Sequence, residues 1–185
     1  GLPEFKARAA NGKRVAVVGA GPAGLAGAAV LAQLGYAVDI FEKSGRAGGM
    51  CNLITGFRLD RNALQRDIDF ALGLGAIHLF TDSAILSPAR LLDGREYQAI
   101  LVTTGLDVPV AAGVPGESYA IPWEQFLEEH RRLPVRKKRV HVIGGGAIAV
   151  DCAVTAARDG AAHVELVYRR KMEHMPLTDY ERDLL

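Results

Sequence analysis

The strongest constraint on this chain is a pattern that occurs twice. Arg14 to Lys43 reads RVAVVGAGPAGLAGAAVLAQLGYAVDIFEK, and Arg139 to Arg170 reads RVHVIGGGAIAVDCAVTAARDGAAHVELVYRR. In the first copy a short β-branched run, Val15 to Val18, fits a strand buried on both faces. At its exit stands Gly19-Ala20-Gly21-Pro22-Ala23-Gly24, a G-x-G-x-x-G loop. A helix-compatible segment follows to about Leu34, with Gly35 placed to end it. A second strand-like run, Ala37 to Phe41, finishes on Glu42 and Lys43. In this setting Gly19 allows the tight turn, Gly21 lets backbone approach a pyrophosphate, and Gly24 lets helix pack on strand. Pro22 and Ala23 complete the phosphate loop at a helix N-terminus, where free N–H groups and the positive dipole end favour an anion. Glu42, about 20 residues beyond the loop, stands where a carboxylate accepts two ribose hydroxyls.

In the second copy Gly144 matches Gly19, Gly146 matches Gly21, Ala149 matches Gly24 and Gly160 matches Gly35, with Ala147 inside the loop. Internal repetition of this kind implies two units and two dinucleotide sites. The expected fold class is therefore α/β, with two Rossmann-like dinucleotide-binding units, both incomplete at this length. The copies differ at their far ends. With one residue inserted after Gly160, Tyr168 stands in the place of Glu42, and Arg169 and Arg170 follow. An acid there repels a 2′-phosphate, whereas arginines accept one through forked, charge-assisted hydrogen bonds. The first site suits a cofactor with free ribose hydroxyls, FAD or NAD; the second suits NADP(H).

Between the copies, Lys43 to Gly49 is loop chemistry, in which Arg46, Gly48 and Gly49 suit close approach to a ligand. Asp60 is placed to cap a helix running to about Leu74, its apolar side made by Leu64, Ile68, Leu72 and Leu74. Ile77 to Thr81 reads as a short strand, and Tyr97 to Thr104 as a buried one ending at Gly105. Pro88 argues against a central strand in 83–95. From Leu106 to Lys138 four prolines break the pattern, leaving Trp123 to Arg132 as one helical piece. This predicts a first nucleotide domain over 1–108, a crossover over 109–137 and a second domain over 138–185.

Composition narrows the partners. With 49% hydrophobic residues and a net charge of +1, the chain has a core but no electrostatic case for nucleic acid or a membrane surface. It carries no apolar run long enough for membrane insertion. Its two cysteines, Cys51 and Cys152, form no C-x-x-C motif, which points to a reducing, cytoplasmic setting; any iron–sulfur cluster needs ligands from another polypeptide. Both read as packing residues. The five histidines lack metal-ligand spacing, and His141 and His163 read as packed or hydrogen-bonded imidazoles. No Ser/His/Asp or Cys/His arrangement is present, so no catalytic side chain and no metal site are assigned.

Taken together, these residues resemble the flavin subunit of NADPH-dependent glutamate synthase and its relatives, among them the matching region of dihydropyrimidine dehydrogenase and of electron-bifurcating ferredoxin:NADP oxidoreductases. The resemblance rests on Val17 to Leu25 with Phe41-Glu42-Lys43, on Gly48-Gly49, on Ile54-Thr55-Gly56-Phe57-Arg58-Leu59, on Thr103-Thr104-Gly105, on Val114-Pro115-Gly116, and on Val142 to Gly146 with Val167 to Arg170 and Met175-Pro176. It implies a two-dinucleotide-binding flavoprotein, with FAD on Gly19, Gly21, Gly24 and Glu42 and with Arg46 and Gly49 along its phosphate and ribityl side. It further implies NADPH on Gly144, Gly146 and Ala149, with Arg169 and Arg170 on the 2′-phosphate. Hydride would pass from nicotinamide to flavin, and electrons onward to an iron–sulfur-containing subunit or domain of a redox complex. Two departures stand out: Ala147 and Ile148 replace an Asp-Thr pair, and Thr103 replaces an alanine. By length, the resemblance implies a piece of such an enzyme, or a subunit completed by another chain. A nucleotide-binding structural subunit without its own turnover is the alternative.

Overall fold

The computed structural model describes residues 8–106 and 113–185, so the expected boundary at 108–109 lies outside the described residues. The chain divides into two compact units, one of 1–52 and 56–108 and one of 53–55 and 109–185.

The first unit is a parallel sheet of β1 (Arg14–Val18), β2 (Ala37–Phe41), β3 (Ile77–Phe80) and β4 (Ala99–Val102), ordered β3-β2-β1-β4. The register sets Val15 beside Val38 and Ala99, and Val18 beside Phe41 and Val102. Helix α1 (Pro22–Gln33) crosses between β1 and β2, and α2 (Arg61–Leu72) precedes β3. The α1 sequence is mostly alanine and glycine on the face toward the sheet: Gly24, Ala28, Ala29 and Ala32 are buried, and small side chains let the helix lie close. Val17, Val38 and Ile40 are fully buried beneath it, each contributing roughly 1.5–3 kcal/mol. The helix ends as a Schellman motif, with Gly35 at φ +90°, its N–H on the Ala32 carbonyl and the Tyr36 N–H on Leu31. Asp60 caps α2 by accepting from the Ala63 N–H at 2.8 Å, and Ile68 is its buried contact.

In this unit one element differs from the sequence reading. The Tyr97–Thr104 run yields only four strand residues, and Val102 is 56% exposed, because β4 is the outer strand of the described sheet. Pro88 opens a 3-10 turn, Pro88–Leu92. The sheet also holds a polar hub. Asp39, 1% exposed in the middle of β2, accepts from Arg14 of β1 at 2.9 Å and from the Tyr97 hydroxyl at 2.9 Å, and sits 3.2 Å from His78 Nδ1 of β3. Burial and this carboxylate push the Tyr97 hydroxyl up to about 12.

The second unit repeats the first motif as β5 (Arg139–Ile143), α4 (Ala147–Arg158) and β6 (His163–Val167), with β5 and β6 parallel and Arg139 beside His163. The one-residue offset from the Arg14–Ala37 pairing is absorbed just after Gly160, which ends α4 in the same Schellman geometry at φ +87°. Helix α3 (Trp123–Glu129) stops three residues short of the expected Arg132. Its Phe126 joins Cys152 and Ala156 of α4, together with Val135 from the following loop, in one buried cluster. Val140, Val142 and Val164 face that core, while His141, Ile143, His163 and Glu165 are exposed. His141 is exposed rather than packed, its Nδ1 3.1 Å from a Glu165 carboxylate oxygen on the neighbouring strand. His163 is exposed and has no side-chain partner among the described residues. The C-terminal helix α5 (Asp179–Asp183) begins with a Thr178–Glu181 capping box.

Candidate functional site

Each glycine loop is a strand-to-helix corner, closed in the same way. The Gly19 N–H reaches across to the Phe41 carbonyl at 2.8 Å, and the Gly144 N–H to the Val167 carbonyl at 3.0 Å. Gly19 has φ +104°, and a Cβ there would sit 2.5 Å from the Thr103 carbonyl oxygen. A Cβ on Gly24 would run into the Gly19 carbonyl. These two glycines are therefore required by the corner itself. Gly21 and Gly146 are extended N-caps of α1 and α4, and neither helix start carries a side-chain cap. The N–H groups of both first turns are thus left to solvent or an anion.

Around the first corner the structure gathers most of the residues singled out from sequence. The Gly48 N–H bonds the Ala20 carbonyl at 2.8 Å, and Gly49, at φ +50°, approaches Gly21 so closely that a Cβ would lie 2.9 Å from its Cα. The double glycine therefore serves backbone-to-backbone contact with the loop. Thr104 lies beside Gly19, and Gly105 follows it at φ +74°. The Thr103 hydroxyl lies 2.9 Å from the Gly19 carbonyl and 3.0 Å from that of Val18, tying β4 to the corner in a way alanine would not. Pro22 and Ala23 form the first turn of α1, while Lys43 and Arg46 are exposed on the following loop.

Glu42 is buried and turned into the corner. Its Oε2 accepts from the Ala20 N–H at 2.8 Å, and its Oε1 from the Ser44 N–H at 2.9 Å and the Ser44 hydroxyl at 2.8 Å. Burial pushes this carboxyl up, but those hydrogen bonds and the Lys43 charge outweigh it and hold the group below the ordinary carboxylate value. Ser44 was not singled out from sequence; a serine two residues after the acid is the only signal there was.

The second corner is looser. Ala149 stands where the first corner has Gly24, and a Cβ added to Gly144, at φ +147°, would meet the Ala149 Cβ at a tight 3.2 Å. Ala147 and Ile148 open α4, so the first turn adds no polar side chain. Tyr168 lies across the loop, where a Cβ on Gly145 would strike its ring, and its hydroxyl donates to the His174 carbonyl at 3.2 Å. Arg169 is exposed. Arg170 lines a hollow of about 600 Å³ with Ala153, Val154, Met172 and Met175, a lining that does not include the Gly144–Gly146 loop. Among the described residues no group of His, Cys, Asp and Glu is placed to hold a metal ion, and no helix is long and apolar enough to cross a membrane.

Two parallel β–α–β units, each with a glycine corner opening on an uncapped helix N-terminus, define an α/β protein of the two-dinucleotide-binding class. More particularly, residues 13–181 match the pyridine nucleotide-disulphide oxidoreductase family, and the chain belongs to it. It is 42% identical to the NADP(+)-dependent formate dehydrogenase subunit beta of Moorella thermoacetica, over 90% of this chain and 25% of that protein. It is 32% identical to the glutamate synthase [NADPH] small chain of Escherichia coli, over 94% of this chain and 40% of that one. The fold also matches a 2-naphthoyl-CoA reductase structure, with a TM-score of 0.72 and 23% identity over 99% of this chain and 28% of that one. The chain thus spans well under half the length of these proteins.

Proposed function

We propose that this chain is the nucleotide-binding part of an FAD-dependent oxidoreductase that draws on NADPH and serves an iron–sulfur subunit or domain of a redox complex in the cytoplasm. The observation that carries the proposal is the Glu42 carboxylate seated in the first corner, set against Arg169 and Arg170 at the equivalent end of the second copy. The residues fit the cofactors. Corners closed to any Cβ at Gly19 and Gly24, an uncapped helix start and a buried acid suit an unphosphorylated adenosine ribose and its pyrophosphate.

On this reading the domain of 1–108 holds FAD. Gly19, Gly21, Pro22, Ala23 and Gly24 present backbone to the pyrophosphate, Glu42 takes the ribose, and Lys43, Arg46, Gly48, Gly49, Thr104 and Gly105 line the remainder. The domain of 138–185, reached through 109–137, holds NADPH, with Gly144, Gly146, Ala147 and Ala149 at the pyrophosphate and Arg169 and Arg170 at the 2′-phosphate. Bound there, the two cofactors supply hydride-transfer chemistry, and the protein positions them and tunes their surroundings. The relatives named for NADP or NADPH support the choice of reductant. The test is direct: the purified protein, reconstituted with FAD, is yellow and bleaches when NADPH is added without oxygen. A protein that cannot retain FAD, or a flavin that stays oxidised even with its natural partners, would defeat the proposal.

A further inference from the structure

A carboxylate offers about four lone-pair sites on its two oxygens. Three of those on Glu42 are already engaged by its own chain: the Ser44 N–H and hydroxyl on Oε1, and the Ala20 N–H on Oε2. A ribose diol brings two more donors, which makes five donors for four sites. One of the three internal donors therefore has to leave when both ribose hydroxyls bind. The two backbone N–H groups are fixed by the main chain. The Ser44 hydroxyl is different. It carries one proton on a free rotor, and without any heavy atom moving its oxygen also lies 2.9 Å from the Arg46 carbonyl. That carbonyl is a second acceptor for the hydrogen bond that the hydroxyl withdraws from Glu42.

We infer that Ser44 is a positioning residue that tempers the preference of the Glu42 site for a vicinal diol: its hydroxyl holds Oε1 in one rotamer and yields it to a ribose hydroxyl only by turning to the Arg46 carbonyl. The inference rests on the proposed placement of an adenosine ribose at Glu42. It predicts a cost on binding that falls on the diol alone. The proton leaves a charged acceptor for a neutral one, and hydrogen bonds to ionised groups are the stronger kind. A ribose with one hydroxyl fits the fourth site and displaces nothing.

The experiment is calorimetric titration of the FAD-free protein with FAD and with its 2′-deoxy and 3′-deoxy adenosine analogues, for wild type, Ser44→Ala, Ser44→Thr and Glu42→Ala. Ser44→Ala, which has no proton to displace, is expected to bind FAD roughly 3- to 10-fold more tightly. It should bind either monodeoxy analogue with an affinity within about twofold of wild type. Ser44→Thr, which keeps the rotor, should match wild type toward all three ligands. If Ser44→Ala leaves FAD affinity unchanged, weakens it, or tightens all three ligands alike, the role of Ser44 is wrong. If Glu42→Ala binds FAD as well as wild type, the ribose is not at Glu42 and the proposed site falls with it.

Discussion

Replacing Glu42 with alanine tests the first corner as a folded object, before any cofactor is considered. The carboxylate is 6% exposed and receives three donors. The two on Ser44 lie at an exposed residue, where water takes over and little is lost. The Ala20 N–H is different, because Ala20 is fully buried and has no other acceptor among the described residues. An orphaned buried donor costs roughly 1–3 kcal/mol, so Glu42→Ala is expected to lose about 2 kcal/mol at neutral pH. The sign of the pH dependence follows from the hydrogen bonds. They hold the carboxyl below its ordinary value of 4.5, so their stabilisation is present above that value and is lost as pH falls through the lower, folded one. The gap between wild type and Glu42→Ala should therefore be full at about pH 7 and shrink on acidification past the folded value. Urea unfolding followed by far-ultraviolet circular dichroism, at several pH values and with unchanged denaturant slope, measures it. A gap under about 0.5 kcal/mol at neutral pH, or one that stays constant on acidification, would refute the reasoning.

The two corners also predict an asymmetry between equivalent positions. Gly24→Ala drives a Cβ into the Gly19 carbonyl, a backbone atom that cannot swing away, and should cost roughly 1–3 kcal/mol; Ala149→Gly should cost only about 0.5–1 kcal/mol of helix propensity. Equal losses in denaturant melts would contradict this. Burial, with Asp151 and Glu124 nearby, pushes the Cys152 thiol up to about 12, so under native conditions near neutral pH it should resist iodoacetamide and become labelled only on unfolding, as peptide mass mapping would show. Joint replacement of Arg169 and Arg170 by alanine should lower the preference for NADPH over NADH by about tenfold or more, read from the two dissociation constants; an unchanged ratio would remove both arginines from the 2′-phosphate.

The two corners were legible from sequence because their requirements are local. A backbone at positive φ beside a crossing strand needs glycine at Gly19, and a Schellman end needs it at Gly35 and Gly160, whatever lies further away. The Asp60 cap is local in the same sense. Burial was not legible, because it depends on neighbours in space: YQAILVTT has the texture of a central strand but occupies the edge of the described sheet. The Asp39 hub joins residues from four segments, and its one sequence trace is an acid inside the apolar run AVDIF. Gly48-Gly49 was read as suiting close approach to a ligand, whereas in the structure the pair approaches the backbone of Ala20 and Gly21. Ser44 could not have been chosen, since its meaning lies in two distances, 2.8 Å and 2.9 Å, from one oxygen to two acceptors.

The central claim is that one sugar–phosphate cradle has been used twice, with opposite charge at its two far ends. Amide hydrogen exchange on the protein with adenosine 5′-diphosphate ribose, and separately with its 2′-phosphorylated form, addresses it in one measurement. The account predicts that the first ligand protects amides of Gly19 to Gly24 and that the 2′-phosphorylated one protects those of Gly144 to Ala149. Protection of the same corner by both ligands, or of neither, would contradict it.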